Sequence, residues 1–168
     1  MFVLGIDPGV SRCGYGCVER RAGRLFPVAG GVITTEPQVP LPERLAQLWS
    51  ELVALVAELN PTVVAVERVF FQTNVRTAMS VGQASGLALA VAAGAGCEVV
   101  QYTANEVKQA VAGYGSADKR QVQQMVRILL DLPVVPEPPD AADALALAIC
   151  HATVAPLLER IAASGAPA

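Results

Sequence analysis

Three strand patterns follow one another before any helical periodicity sets in. Phe2–Asp7 is a continuous apolar run that ends on Asp7. Cys13–Arg20 and Leu25–Thr35 are two further strands, joined by a turn over residues 21–24 around Gly23. Glu36–Pro42 holds three prolines and is read as a connector. From there helices and strands alternate. Glu43–Leu59 sets Leu45, Leu48, Trp49, Leu52, Leu55, Val56 and Leu59 at helical spacing. Thr62–Val66 is a short apolar run, as a strand covered on both faces would be. A helix over Val75–Ala93, a strand over Glu98–Tyr102 and helices over Glu106–Ala112, Lys119–Leu130 and Asp140–Ala163 complete the pattern. This order predicts an α/β fold: a mixed five-stranded sheet, antiparallel on one side and parallel on the other, flanked by helices. It is expected as a single domain over residues 1–163, with a frayed tail over 164–168.

Composition narrows the class. At 168 residues the chain is long enough for one autonomous core. With 53% apolar and 16% charged residues it is not a disordered chain. Its uninterrupted apolar stretches, around Gly86–Cys97 and Ala144–Cys150, fall short of the roughly 18 residues of a membrane span. Asp7 comes too early for a signal peptide. Cys13, Cys17, Cys97 and Cys150 form no C-x-x-C pair and only one histidine accompanies them, so no zinc site is expected; with no secretory signal they are expected as reduced thiols of a cytoplasmic protein. The net charge of −3 argues against a generally basic nucleic-acid binder. The charge is unevenly spread, however. Residues 68–127 carry six basic and three acidic groups, and this segment is the candidate basic face.

Four acids stand out. Asp7 ends the first strand and Glu67 follows the fourth. If those strands are adjacent and parallel, both carboxylates leave the sheet at one edge, where open α/β sheets place their sites. Asp140 and Asp143, three apart at a helix start, share a face. Four converging carboxylates repel one another, and divalent cations would relieve that repulsion. Mg²⁺ suits such oxygen ligands. Two ions about 3.5–4 Å apart could serve a phosphodiester displacement. The plainer reading stands beside this one: an Asp at a strand end often only starts a turn, and Asp140 and Asp143 could simply stabilise a helix N-terminus.

Other features are read in the same two ways. The glycines of Gly9–Gly16 match neither a dinucleotide fingerprint, which would need glycine where Glu19 stands, nor a P-loop. They are either turn formers or a loop permitting close phosphate approach. Lys119 and Arg120 open a helix behind Ser116 and Asp118, where the macrodipole disfavours cations unless an anion binds there. Lys108 lies on the preceding helix, and Arg68 and Arg76 flank Glu67. Each alone reads as solvated surface charge. Phe70 and Phe71 are adjacent, so a regular strand could bury only one of them. The other could stack on a base or anchor an interface. His151 lies too far along its helix from Asp143 to share a metal with it. Thr103 and Glu106 form a capping box.

The runs Gly5-Ile6-Asp7-Pro8-Gly9, Val66-Glu67-Arg68-Val69-Phe70, Val107-Lys108-Gln109, Gly113–Gln123 with its Ala117-Asp118-Lys119, and Asp140-Ala141-Ala142-Asp143-Ala144-Leu145-Ala146 resemble the RuvC family of crossover (Holliday) junction endodeoxyribonucleases. The resemblance spans nearly the whole chain. It implies an RNase H-like fold, a homodimer and Mg²⁺-dependent paired nicking of four-way junction DNA. Asp7, Glu67, Asp140 and Asp143 resemble that family's metal-binding catalytic acids. Lys108 and Lys119 resemble its basic residues near the scissile phosphates. Phe70 matches its loop aromatic, with Phe71 beside it. The branch-migration proteins RuvA and RuvB are the implied partners. Two other classes compete. A nucleotide-binding domain of the actin and sugar-kinase type also opens on Ile-Asp-x-Gly, but needs two such domains. A non-catalytic junction-binding protein would have no need of all four acids.

Overall fold

The first helix-free stretch folds as its sequence pattern suggests. In the computed structural model, which describes residues 1–68 and 75–164, β1 (Phe2–Asp7), β2 (Arg12–Arg21) and β3 (Arg24–Thr34) form an antiparallel meander. Ala22 and Gly23, both at positive φ, make the two-residue turn between β2 and β3. Then follow α1 (Leu41–Leu59), β4 (Val63–Glu67), α2 (Val75–Gly94), β5 (Glu98–Tyr102), α3 (Ala104–Ala112), α4 (Lys119–Leu129) and α5 (Pro139–Ser164). The sheet order is β3-β2-β1-β4-β5, with β1–β4 and β4–β5 parallel. The mixed five-stranded sheet expected from the sequence is therefore present.

Side-chain alternation divides the core in two. Leu4 and Ile6 of β1 and Val64 and Val66 of β4 pack beneath α1 and α2 with Leu48, Leu52, Val56, Ala84 and Ala88. Val3, Val63 and Ala65 face the other way, against α3, α4 and α5. The apolar stripe of α1 is narrower than its sequence suggests. Leu48, Leu52 and Val56 are buried, whereas Trp49 is 51% exposed. One residue on from Leu48 is about 100° round the helix, which turns the indole away from the sheet.

The helix α5 lies directly on the sheet because the strands beneath it lack side chains. A Cβ on Gly5 would land on the carbonyl oxygen of Ala144, and one on Gly14 on that of Asp140. At Gly16 it would lie 2.6 Å from Leu145 Cγ. Gly14 and Gly16 thus belong to β2 and make room for a helix. They are neither turn formers nor a phosphate cradle. Residues Pro139–Leu158 of α5 are long and apolar enough to cross a membrane, contrary to the apolar-run count, but they form a core helix with 67% of the apolar window buried. Burial pushes the Cys13 and Cys150 thiols up to about 12, as befits packing groups.

Candidate active site

The same alternation that divides the core assembles the site. On β1, Val3 and Gly5 face α5, so Asp7 does too. On β4, Val63 and Ala65 face α5, so Glu67 does too. Ile6 pairs with Val66 in parallel register, which brings Asp7 and Glu67 side by side at the strand ends. Asp140 and Asp143 stand in the first turns of the helix that the glycines admit. Asp7, Glu67 and Asp143 line one cleft of about 300 Å³ with Lys108, Lys119, Ala104, Val107, Val122 and Leu147.

Charge in the cleft is only partly neutralised. Burial, then the neighbouring charges of Glu67 and Asp143, push Asp7 up to about 7 from its ordinary 3.8. Burial also raises Glu67 above its ordinary value. Asp143 is paired with Lys119, whose Nζ lies 2.5 Å from Oδ2. That hydrogen bond raises Lys119 above its ordinary value and keeps it charged. Lys119 is the first residue of α4. Its N-cap is Asp118, in a capping box with Gln121. The anion facing this awkwardly placed cation is thus Asp143.

The remaining candidates are distributed unequally. Lys108, on α3, is half-buried and lines the cleft; α3 begins at the expected Thr103–Glu106 capping box. Arg68 is exposed at the end of β4, and its backbone N–H donates to the Tyr102 carbonyl. Arg120 points elsewhere: it lines a separate groove with Tyr114, Asp118 and Gln121. Phe70 and Phe71 lie outside the described residues, as does the side chain of Arg76. His151 is buried away from the cleft, its Nδ1 2.8 Å from the Tyr102 hydroxyl.

Arg12 is the residue that sequence reasoning missed. It opens β2 and donates from Nε and Nη2 to Asp140 Oδ2, at 3.0 and 2.7 Å. The signal was available: Val18, Gly16 and Gly14 alternate onto the α5 face, and Arg12 is next in that series. The charge count by segments hid it among residues 1–67, which carry five basic and seven acidic groups.

With Asp140 turned to Arg12 and Asp143 to Lys119, no three of the described carboxylate, imidazole or thiol groups converge tightly enough to hold a metal ion. The donor set nevertheless fits a hard divalent cation. Asp7, Glu67, Asp140 and Asp143 could supply carboxylate oxygens, and after burial it is the neighbouring acids that raise Asp7, a repulsion a cation would relieve.

Comparison with known proteins bears on this arrangement. The family model of the crossover junction endodeoxyribonuclease RuvC matches residues 3–151. A curated relative named crossover junction endodeoxyribonuclease RuvC, from Chloroflexus aggregans, is 55% identical over 164 residues, 98% of this chain and all of that protein. Thermus thermophilus RuvC, solved in complex with a Holliday junction substrate, superposes with a TM-score of 0.88 at 40% identity, covering 94% of this chain and 96% of its own. A yeast mitochondrial Holliday junction resolvase shares the fold, with a TM-score of 0.70 at 17% identity over 95% of this chain and 82% of its own.

Proposed function

The chain belongs to the RuvC family of crossover junction endodeoxyribonucleases, and from that premise we propose how its own residues divide the work of cutting a four-way junction. The chain is a Holliday junction resolvase, a metal-dependent nuclease of recombination and repair. In our reading Asp7, Glu67, Asp140 and Asp143 hold two Mg²⁺ ions per subunit. The observation that carries this reading is the cleft in which Asp7, Glu67 and Asp143 meet Lys108 and Lys119. Bound divalent cations supply Lewis-acid stabilisation of the scissile phosphate and a reactive water at neutral pH.

The protein's own groups do the rest. The β1–β4 register fixes Asp7 beside Glu67. The backbone contact of α5 on Gly5 and Gly14 fixes Asp140 and Asp143 opposite them. Lys119, kept charged by Asp143, turns to the phosphate when substrate enters, and Lys108 lines the same cleft. Hydrolysis leaves a 5′-phosphate and a 3′-hydroxyl. Arg68, Arg76 and Arg120 hold flanking backbone, and Phe70 or Phe71 stacks on DNA near the crossover. Residues 1–163 act as one nuclease domain of a homodimer, whose two-fold axis suits paired nicks in a four-armed substrate. It works in the cytoplasm with RuvA and RuvB.

The test uses a synthetic four-way junction and a matched linear duplex, each with Mg²⁺ and with EDTA. Several crossover sequences are included. Symmetric nicking of the junction alone, dependent on Mg²⁺, is the expected result. A folded protein that binds every junction and cuts none, in Mg²⁺ or Mn²⁺, would refute the mechanism.

A further inference from the structure

Asp140 differs from the other three acids. Asp7, Glu67 and Asp143 line the cleft; Asp140 is held towards β2 by Arg12. This pair is open to solvent, with the Arg12 side chain 49% and the Asp140 side chain 27% exposed. Both hydrogen bonds converge on Oδ2 instead of spreading over the two carboxylate oxygens in the stronger fork. A pair so exposed contributes little to folding. Arg12 is nevertheless placed by the strand itself. It is two residues before Gly14, on the same face, and Gly14 packs against the Asp140 backbone. The guanidinium therefore reaches the acid without bending the sheet. Its partner Asp140 is three residues before Asp143, which lines the cleft.

We propose that Arg12 is a positioning residue that competes with the divalent cation for Asp140. While the site holds neither cation nor DNA, Arg12 keeps Asp140 paired and limits repulsion among the acids. When Asp140 turns to a cation, the guanidinium is released to a backbone phosphate of the bound strand. The cation and the DNA then favour each other, because each removes one partner of the pair that opposes them. This inference rests on Asp140 being a metal ligand.

The test separates the two claims. Mn²⁺ binding is measured by calorimetry, without DNA, on the unaltered protein, Arg12→Ala, Arg12→Lys and Asp140→Asn, each checked for an unchanged melting transition. Arg12→Ala should bind Mn²⁺ two- to five-fold more tightly, the range an exposed ion pair allows. Arg12→Lys should fall between. In an Asp140→Asn background, Arg12→Ala should change nothing. Junction binding is then followed against salt, using a junction whose cleavable linkages are replaced by non-hydrolysable ones. With Mg²⁺, Arg12→Ala should lower the slope of log affinity against log salt by about one. In EDTA the slope should not change. Unchanged or weaker Mn²⁺ binding by folded Arg12→Ala would overturn the competition. An equal loss of slope in EDTA would overturn the release. If the unaltered protein binds no Mn²⁺, the metal-site reading itself fails, which is a different result from either.

Discussion

Gly14 lies directly beneath the backbone carbonyl of Asp140, and its strand partner in register is Asp7. A methyl group at Gly14 would occupy the position of that oxygen, so the helix must lift or shift. Gly14→Ala should therefore cost at least the ~1–3 kcal/mol of an overpacked core, read from urea unfolding. Cleavage should fall by more than ten-fold even where the variant is fully folded, because Asp140 and Asp143 move with the helix.

Asp7→Asn should lower junction cleavage by at least about a hundred-fold, a loss of the size seen when one transition-state stabiliser is removed. Junction affinity in EDTA should stay within two-fold or rise, since the variant removes negative charge from a cleft that receives phosphate. Nicking assays and fluorescence anisotropy on the same preparation check both. Loss of cleavage and binding together would contradict the assigned role.

The raised Asp7 makes metal-free stability depend on pH with a definite sign. Its folded value is about 7 and its ordinary value 3.8. Between these the folded chain keeps a proton that the unfolded chain has released. This group's contribution therefore declines as pH rises from about 4 to about 7. Burial of Glu67 acts in the same direction. In EDTA, the melting temperature of Asp7→Asn relative to the unaltered protein should climb across that window. Mg²⁺ should raise the melting temperature of the unaltered protein more at pH 7.5 than at pH 5, where protons compete for the same oxygens.

Lys119 is tied to Asp143 at 2.5 Å and begins a helix capped by Asp118. Lys119→Met should reduce cleavage by about a hundred-fold, with Lys119→Arg recovering part of it. Asp118→Ala should cost about 1 kcal/mol through the lost cap and reduce cleavage only modestly, since the lysine stays in place. Equal damage from the two would mean that Lys119 serves the helix and not the phosphate.

Lys108→Ala should weaken junction binding across all sequences and lower the salt slope by about one, as expected of a phosphate contact. A binding curve with unchanged slope would return Lys108 to ordinary surface charge.

How much of this was legible in the sequence differs by element. β1 and β4 could be read as short apolar runs, and β2 and β3 as two strands joined by a turn at Gly23; the order of the elements restricts the possible sheets. Asp7 and Glu67 could be placed at one edge because parallel neighbours end alike. The tight seat of α5 could not be read. Glycines at positions 5, 14 and 16 signal close approach of something, but not of what, and only the folded pairing brings Ala144, Asp140 and Leu145 over them. Trp49 misled because its neighbour Leu48 carries the buried stripe. Arg12 was hidden by counting charge along the chain, when the relevant neighbourhood joins residues 128 positions apart.

The four acids stand at positions 7, 67, 140 and 143, and the last two belong to the final helix. During synthesis the sheet can be complete once β5 has emerged, yet the cleft then has only two of its carboxylates. A nascent or truncated chain ending before Pro139 would hold strands and lysines without a finished centre. If these acids are the metal ligands we propose, the centre is finished only when the last helix docks onto Gly5, Gly14 and Gly16, and folding would itself switch the nuclease on.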